Sequence, residues 1–227
     1  MSTTHHPTTH DPRWRRLPEE RPQQILDAAL SVFAEHGIDA AKLEEIAARA
    51  GVSKGTIYLY FPSKEELFRE VVRQKVGPSI AKADDASASA ETAEGQLRIY
   101  LKHQWECLGL EDSEGWIRLV MLELHKYPDL AEFHWQEVVA RSNRILGDII
   151  RRGIASGEFR DTDPLTASQM IKALVLMHVL WTGPRAPAPA EHRPAMAEVL
   201  DNVTDFVLHA LRATPQSAAP ASGASHA

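Results

Sequence analysis

The chain has 227 residues, 44% of them hydrophobic and 25% charged, proportions that belong to a globular protein and exclude a disordered or collagen-like one. A single cysteine, Cys107, excludes an internal disulfide, as expected in the cytoplasm. No apolar run approaches the roughly 20 residues that cross a bilayer, so neither membrane insertion nor secretion is expected. The net charge of −6 is unevenly spread: residues 1–80 carry 11 Lys/Arg against 11 Asp/Glu, and residues 81–227 carry 14 against 20. Two regions with different partners are expected.

Residues 1–20 and 213–227 are rich in Thr, His, Pro, Ala and Ser with no apolar period, and read as disordered tails. In the first tail, Arg13, Arg15 and Arg16 suit either a minor-groove arm or simple solubility. Its histidines His5, His6 and His10 have nothing around them to fix a coordination geometry, and no metal is expected. Between the tails apolar residues recur at three and four with almost no alternation, so the predicted fold is all-α, with about nine helices.

Helix one begins at Pro22, runs through Ile25, Ala29, Val32, Phe33 and His36, and stops at Gly37. A short helix follows with Leu43, Ile46, Ala47 and Ala50 inward. Gly51-Val52-Ser53 then makes a tight turn into a third helix of about 53–61, a helix-turn-helix pattern. Pro62 ends helix three. Ser63 and Glu66 have capping-box spacing and start helix four, which continues to about Val76. Residues 21–76 therefore form one domain, 77–92 read as a linker, and 93–212 as a second helical domain. Its predicted helices span about 93–110, 114–126, 128–155, 164–181 and 191–211.

The residues Ile25-Leu26-Asp27-Ala28-Ala29, Phe33 and Gly37, followed by LEEIAARAGVSKGTIYLYFPSKEEL from Leu43 to Leu67, closely resemble the DNA-binding domain of TetR/AcrR-family transcriptional regulators over about residues 22–68. The local physics agrees. Ser53 caps helix three and leaves its partially positive N-terminus facing outward, an end that suits a phosphate-lined groove, so Ser53 is counted with the DNA-binding residues. Ile57 and Phe61 turn inward, which leaves Lys54, Thr56, Tyr58 and Tyr60 toward solvent, and Gly55 permits close approach to a duplex. The resemblance implies base or backbone contacts for Lys54, Gly55, Thr56, Tyr58 and Tyr60, and a phosphate contact for Lys64. The sequence departs from the family at the start of helix two, where threonines are common and Ala41 and Lys42 stand here. Asp39 offers a substitute cap, and Lys42 a charged contact to phosphate in place of a hydroxyl.

In the second domain, the helix at 114–126 is apolar nearly all round, and a central position surrounded by other helices is expected. Trp105, Trp116, Met121, His125, Phe133, Met177, His178 and Trp181 are candidates to line a small-molecule pocket between helices five to eight, as the resemblance implies. Each also suits ordinary core packing. His125 and His178 would orient a ligand by hydrogen bonds. The last two helices carry wide apolar stripes, including Leu165, Met170, Ile171 and Leu174 on one and Met196, Val199, Val203 and Phe206 on the other. These fit a two-fold four-helix dimer interface, hence a homodimer on a near-palindromic double-stranded operator. Helix four is the expected link between the domains.

The reading is a ligand-responsive repressor released from DNA by a small apolar molecule, with no cofactor. The alternatives are a constitutive DNA-binding regulator without a ligand and a helical enzyme. The enzyme reading lacks metal-ligand spacing, a glycine-rich phosphate loop and a nucleophile elbow. Activation in place of repression stays open at this point.

Overall fold

The computed structural model describes residues 21–108, 113–182, 189–192 and 194–213. Eleven α-helical segments occur among them: α1 (Arg21–Ala40), α2 (Leu43–Ala50), α3 (Lys54–Tyr60), α4 (Lys64–Val71), α5 (Gly77–Ser87), α6 (Ala93–Leu108), α7 (Ser113–Leu122), α8 (Pro128–His134), α9 (Arg141–Ser156), α10 (Pro164–Thr182) and α11 (Met196–Leu211). Two π-helical turns, Val72–Val76 and Trp135–Ala140, join α4 to α5 and α8 to α9 through helical backbone, so these residues make nine continuous rods. The tail arginines and histidines singled out above lie outside the described residues.

Most of residues 77–92, expected as a linker, is helix. The rod that starts as α4 continues through α5 to Ser87 and buries Ile80 and Ala83. Pro78 does not stop it, because Gly77 N–H already reaches back to the Val72 carbonyl in the π turn. The proline then falls in a first turn, where its missing donor costs little.

The local signals around the helix-turn-helix have direct physical counterparts. Gly51 ends α2 in the left-handed region at φ 66, a conformation costly for other residues. Ser53 Oγ accepts Thr56 N–H at 3.1 Å, and Ser63 Oγ accepts Glu66 N–H at 3.1 Å. The reciprocal half of the Ser63 box is not formed, because the Glu66 carboxylate takes Arg69 Nη1 at 2.6 Å. Asp39 does not cap α2 either. The N-cap position is Lys42, without a side-chain cap, while the Asp39 carboxylate accepts the Tyr127 hydroxyl.

Two cores result. Ile25, Leu26, Val32, Phe33, Ile46, Ile57, Leu67 and Phe68 fill the first, and Trp116, Leu119, Leu124 and Leu130 join it from beyond the first domain. The second joins Leu97, Tyr100, Leu101 and Trp105 of α6 and Ile117 of α7 to Leu146, Ile149 and Ile150 of α9 and to residues of α10 and α11. Each large buried side chain contributes about 1.5–3 kcal/mol relative to exposure.

α7 is not the fully surrounded helix expected from its apolar sequence. It lies between the cores, with Trp116 and Leu119 in one and Ile117 in the other, while Met121 and Leu122 face outward. Its seat on α1 is set by Gly115, where a Cβ would collide with the Ala34 carbonyl. Farther along, Glu123 Oε2 accepts Ile38 N–H at 3.3 Å. α4 also touches the second domain, through α8. The connection therefore runs through α1 and α7 as well as helix four.

Candidate nucleic-acid interface

α3 is seven residues long and packs on the first core through Ile57, with Phe61 closing its C-terminal end; both are buried. Burying those two positions turns the rest of the helix outward. Tyr58 and Tyr60 are 49% and 40% exposed, and Leu59 between them is 84% exposed. Lys54 and Gly55 are exposed, and Thr56 is half-buried with its hydroxyl 2.8 Å from Ser53 Oγ. The outward side thus carries a cation, two phenols and a large apolar group, supported by a capped N-terminus. Leu59 was missed by the sequence reading, although its position between the two tyrosines on a short helix places it beside them.

The start of α2, α3 and the start of α4 enclose an open groove of about 400 Å³ walled by Ala41, Lys42, Leu43, Glu44, Lys54, Tyr58, Pro62, Ser63 and Lys64. Three of the cations assigned to DNA from sequence therefore share one surface. Lys42 is exposed. Lys64 is half-buried, and its ammonium donates to the Asp39 and Ala41 carbonyls at 3.2 and 3.3 Å. In the free protein it pins the α1–α2 connection to the start of α4, a structural role that sequence did not suggest.

Lys54 is also engaged, donating to Glu44 Oε1 at 2.6 Å, with its ammonium 5.9 Å from the Tyr58 ring centre. Their hydrogen bond holds the Glu44 carboxyl below the usual range and the Lys54 ammonium above it. Between α1 and α2, the Glu35 and Glu45 carboxylates gather around Arg49 at 2.6–2.7 Å. With His36 they form a cluster whose ligand atoms lie within 4.8 Å of one another, but both carboxylates are already committed to the guanidinium.

The eight residues proposed from sequence as a ligand pocket are dispersed. Trp105 is buried in the second core, whereas Trp116 is in the first, stacked on Phe68 at 5.1 Å between ring centres. Phe133 lies under the guanidinium groups of Arg69 and Arg73 at 5.8 and 4.8 Å. Met121, His125, Met177 and Trp181 are exposed, with Trp181 Nε1 donating to Met177 Sδ at 3.0 Å. His178 is half-buried, its Nδ1 2.9 Å from the Leu174 carbonyl. For Trp116 the physical reason is the placement of α7 against α1, which spends the largest side chain of α7 on the joint.

Three polar groups stand out in the interior, of which Asn143 and His134 were not singled out from sequence. Trp105 Nε1 and Asn143 Oδ1 are buried without a hydrogen-bond partner. His134 is buried beside Trp116 with ring centres 6.4 Å apart, and burial pushes its pKa down to about 4.

Comparison with known proteins gives this geometry a family. Residues 25–71 match the family described as bacterial regulatory proteins, tetR family, and residues 89–199 match the tetracyclin repressor-like C-terminal domain. A fatty acid metabolism regulator protein of Bacillus subtilis is 31% identical over 158 residues, 68% of this chain and 80% of that protein. The transcriptional repressor KstR2 of Mycolicibacterium smegmatis is 27% identical over 191 residues, 82% of this chain and 92% of that protein. The crystal structure of FadR from Bacillus subtilis in complex with stearoyl-CoA superposes with a TM-score of 0.69 at 27% identity, covering 83% of this chain and 98% of that one. The chain belongs to the TetR family of transcriptional regulators. It is a helix-turn-helix DNA-binding protein and not an enzyme. No helix among the described residues is long and apolar enough to cross a membrane.

Proposed function

We propose that this chain is a cytoplasmic, homodimeric repressor that binds a near-palindromic operator and is released by a small molecule with a large apolar part. The observation that carries the DNA half is the open surface holding Lys42, Lys54, Tyr58, Tyr60 and Lys64 around the capped α3. Phosphate contacts from such cations position a helix, and its outward side chains read base edges. The dimer is supported by the unburied apolar side chains of the last two long helices: Leu165, Met170, Met177, Trp181 and Phe206, each about half to two-thirds exposed. Apolar exposure on that scale suits an isologous helix pairing.

For the effector, the support is the kinship with regulators of fatty acid metabolism and the stearoyl-CoA held by the FadR relative. Long-chain acyl thioesters are therefore the first probes. A second reading, a constitutive regulator, draws on the dispersal of the eight candidate pocket residues.

The test begins with the full chain and a random DNA pool, from which a symmetric motif should be selected. Acyl-CoA thioesters of increasing length are then titrated against the bound duplex. Reciprocity requires that operator weaken thioester binding by the factor that thioester weakens operator binding. Moving the population from about 99% DNA-competent to about 99% incompetent requires a preference of roughly 5.5 kcal/mol. Thioester affinity that is equal with and without operator defeats this coupling, and an asymmetric motif defeats the palindrome.

A further inference from the structure

The groove beside α3 holds one side chain whose sign is wrong for phosphate. Glu44, in the first turn of α2, is 64% exposed at its side chain and stands beside Lys42 and Lys54 in the groove wall. Its Oε1 lies 2.6 Å from Lys54 Nζ, so a hydrogen-bonding acceptor and a donor are presented side by side from two different helices. A carboxylate on a surface that meets a polyanion either repels it or faces a base edge. In the major groove the exocyclic amines of cytosine and adenine are the donors that a carboxylate can accept from.

The spacing distinguishes the bases. Across a G·C pair, guanine O6 accepts and cytosine N4 donates, and the two atoms are themselves hydrogen-bonded to each other at about 2.9 Å. Guanine N7 adds a second acceptor on the side away from cytosine. An ammonium and a carboxylate 2.6 Å apart present the complementary order of donor and acceptor. An A·T pair presents a donor at adenine N6 beside an acceptor at thymine O4, but a methyl group lies beyond it where guanine offers N7.

Resting on the DNA-binding reading above, we propose that Glu44 and Lys54 act together as the reader of one G·C pair in each half-site, Glu44 accepting from cytosine N4 and Lys54 donating to guanine O6 and N7. The mutual hydrogen bond in the free protein pre-orders both groups. Docking exchanges that bond for three charge-assisted bonds to the base pair, which leaves neither group without a hydrogen-bond partner. Glu44 thereby becomes a specificity residue on α2, outside the helix that carries the other reading groups.

The experiment compares motifs selected from a random duplex pool by the full wild-type chain and by the Glu44→Ala and Glu44→Gln variants, followed by affinity measurements over a range of salt. Wild type should enrich a motif with one fixed G·C pair per half-site. Glu44→Ala should lose roughly tenfold or more discrimination at that pair and little elsewhere. Glu44→Gln should move the preference toward adenine, since an amide pairs with N6 and N7. In the wild-type complex, 7-deazaguanine at that pair should weaken binding, and Lys54→Ala should abolish this sensitivity. A Glu44→Ala motif identical to wild type, or one with affinity raised uniformly on every duplex and a steeper salt dependence, overturns the proposal and makes Glu44 a mere repulsive charge. Failure of wild type to select any motif instead overturns the DNA-binding reading on which the proposal stands.

Discussion

At the scale of single residues, two side chains do work that their chemistry makes measurable. Ser53 Oγ satisfies the Thr56 N–H at the start of α3 and also meets the Thr56 hydroxyl. Ser53→Ala should cost about 1 kcal/mol in chemical denaturation, the usual worth of such a cap, and should weaken operator binding as the first turn of α3 frays. His134 is the second. Burial lowers its pKa from the ordinary 6.5 to about 4, so the unfolded chain takes the proton first as pH falls. Its contribution to stability is full above about pH 6.5 and is lost between 6.5 and 4, with a ceiling of roughly 3 kcal/mol. Urea midpoints at pH 7 and pH 4.5 should therefore differ, and His134→Phe should flatten the difference. Midpoints equally pH-dependent in that variant would place the cause elsewhere.

At the scale of elements, the joint between the two domains is broader than helix four alone, because α7 packs on α1. Gly115 brings α7 onto α1, Trp116 stacks on Phe68, and Glu123 and Tyr127 close on Ile38 and Asp39. Gly115→Val would drive a branched side chain into the Ala34 carbonyl and should destabilise the fold by about 1–3 kcal/mol, read from denaturant midpoints. Gly115→Ala should follow in the same direction with a smaller effect. An unchanged midpoint in the valine variant would show that α7 does not need this close seat.

This joint also shows where sequence stopped being informative. The helices of the first domain could be read because Gly51, Ser53 and Ser63 act on their own neighbours, within three or four residues of chain. The outward set on α3 followed from the inward set, Ile57 and Phe61. Leu59 was lost because an apolar residue is read as inward by default. The dispersal of Trp116, Phe133, Met177 and Trp181 was illegible for a different reason: periodicity says that a face is apolar, never which neighbour covers it. Helix four was identified as a link, but the larger grip of α7 on α1 depends on a glycine whose meaning lies 81 residues away, at Ala34. The helical course through Pro78 was hidden as well, since a π turn has no composition of its own.

At the scale of the whole molecule, the unburied apolar side chains of α10 and α11 predict the assembly state. Met170→Glu together with Phe206→Glu places charge on two exposed positions, 67% each, without touching the core. Sedimentation equilibrium should show the wild-type chain as a dimer and the double variant as a monomer. Operator affinity should fall with it, because a monomer holds one half-site only. A monomeric wild-type chain at micromolar concentration would remove the dimer from the account.

The two π turns lie against each other, one in the rod of α4 and α5 and the other in the rod of α8 and α9. Each houses a surplus residue relative to a regular α-helix, and one residue corresponds to about 100° of rotation along a helix. A π turn takes up its surplus residue within a single turn, so the helix on either side of it keeps its phase. Loss of one residue from 72–76 should therefore leave Lys64 and the groove wall on their present bearing, whereas the same loss from a regular stretch of that rod would swing them by more than a quarter turn.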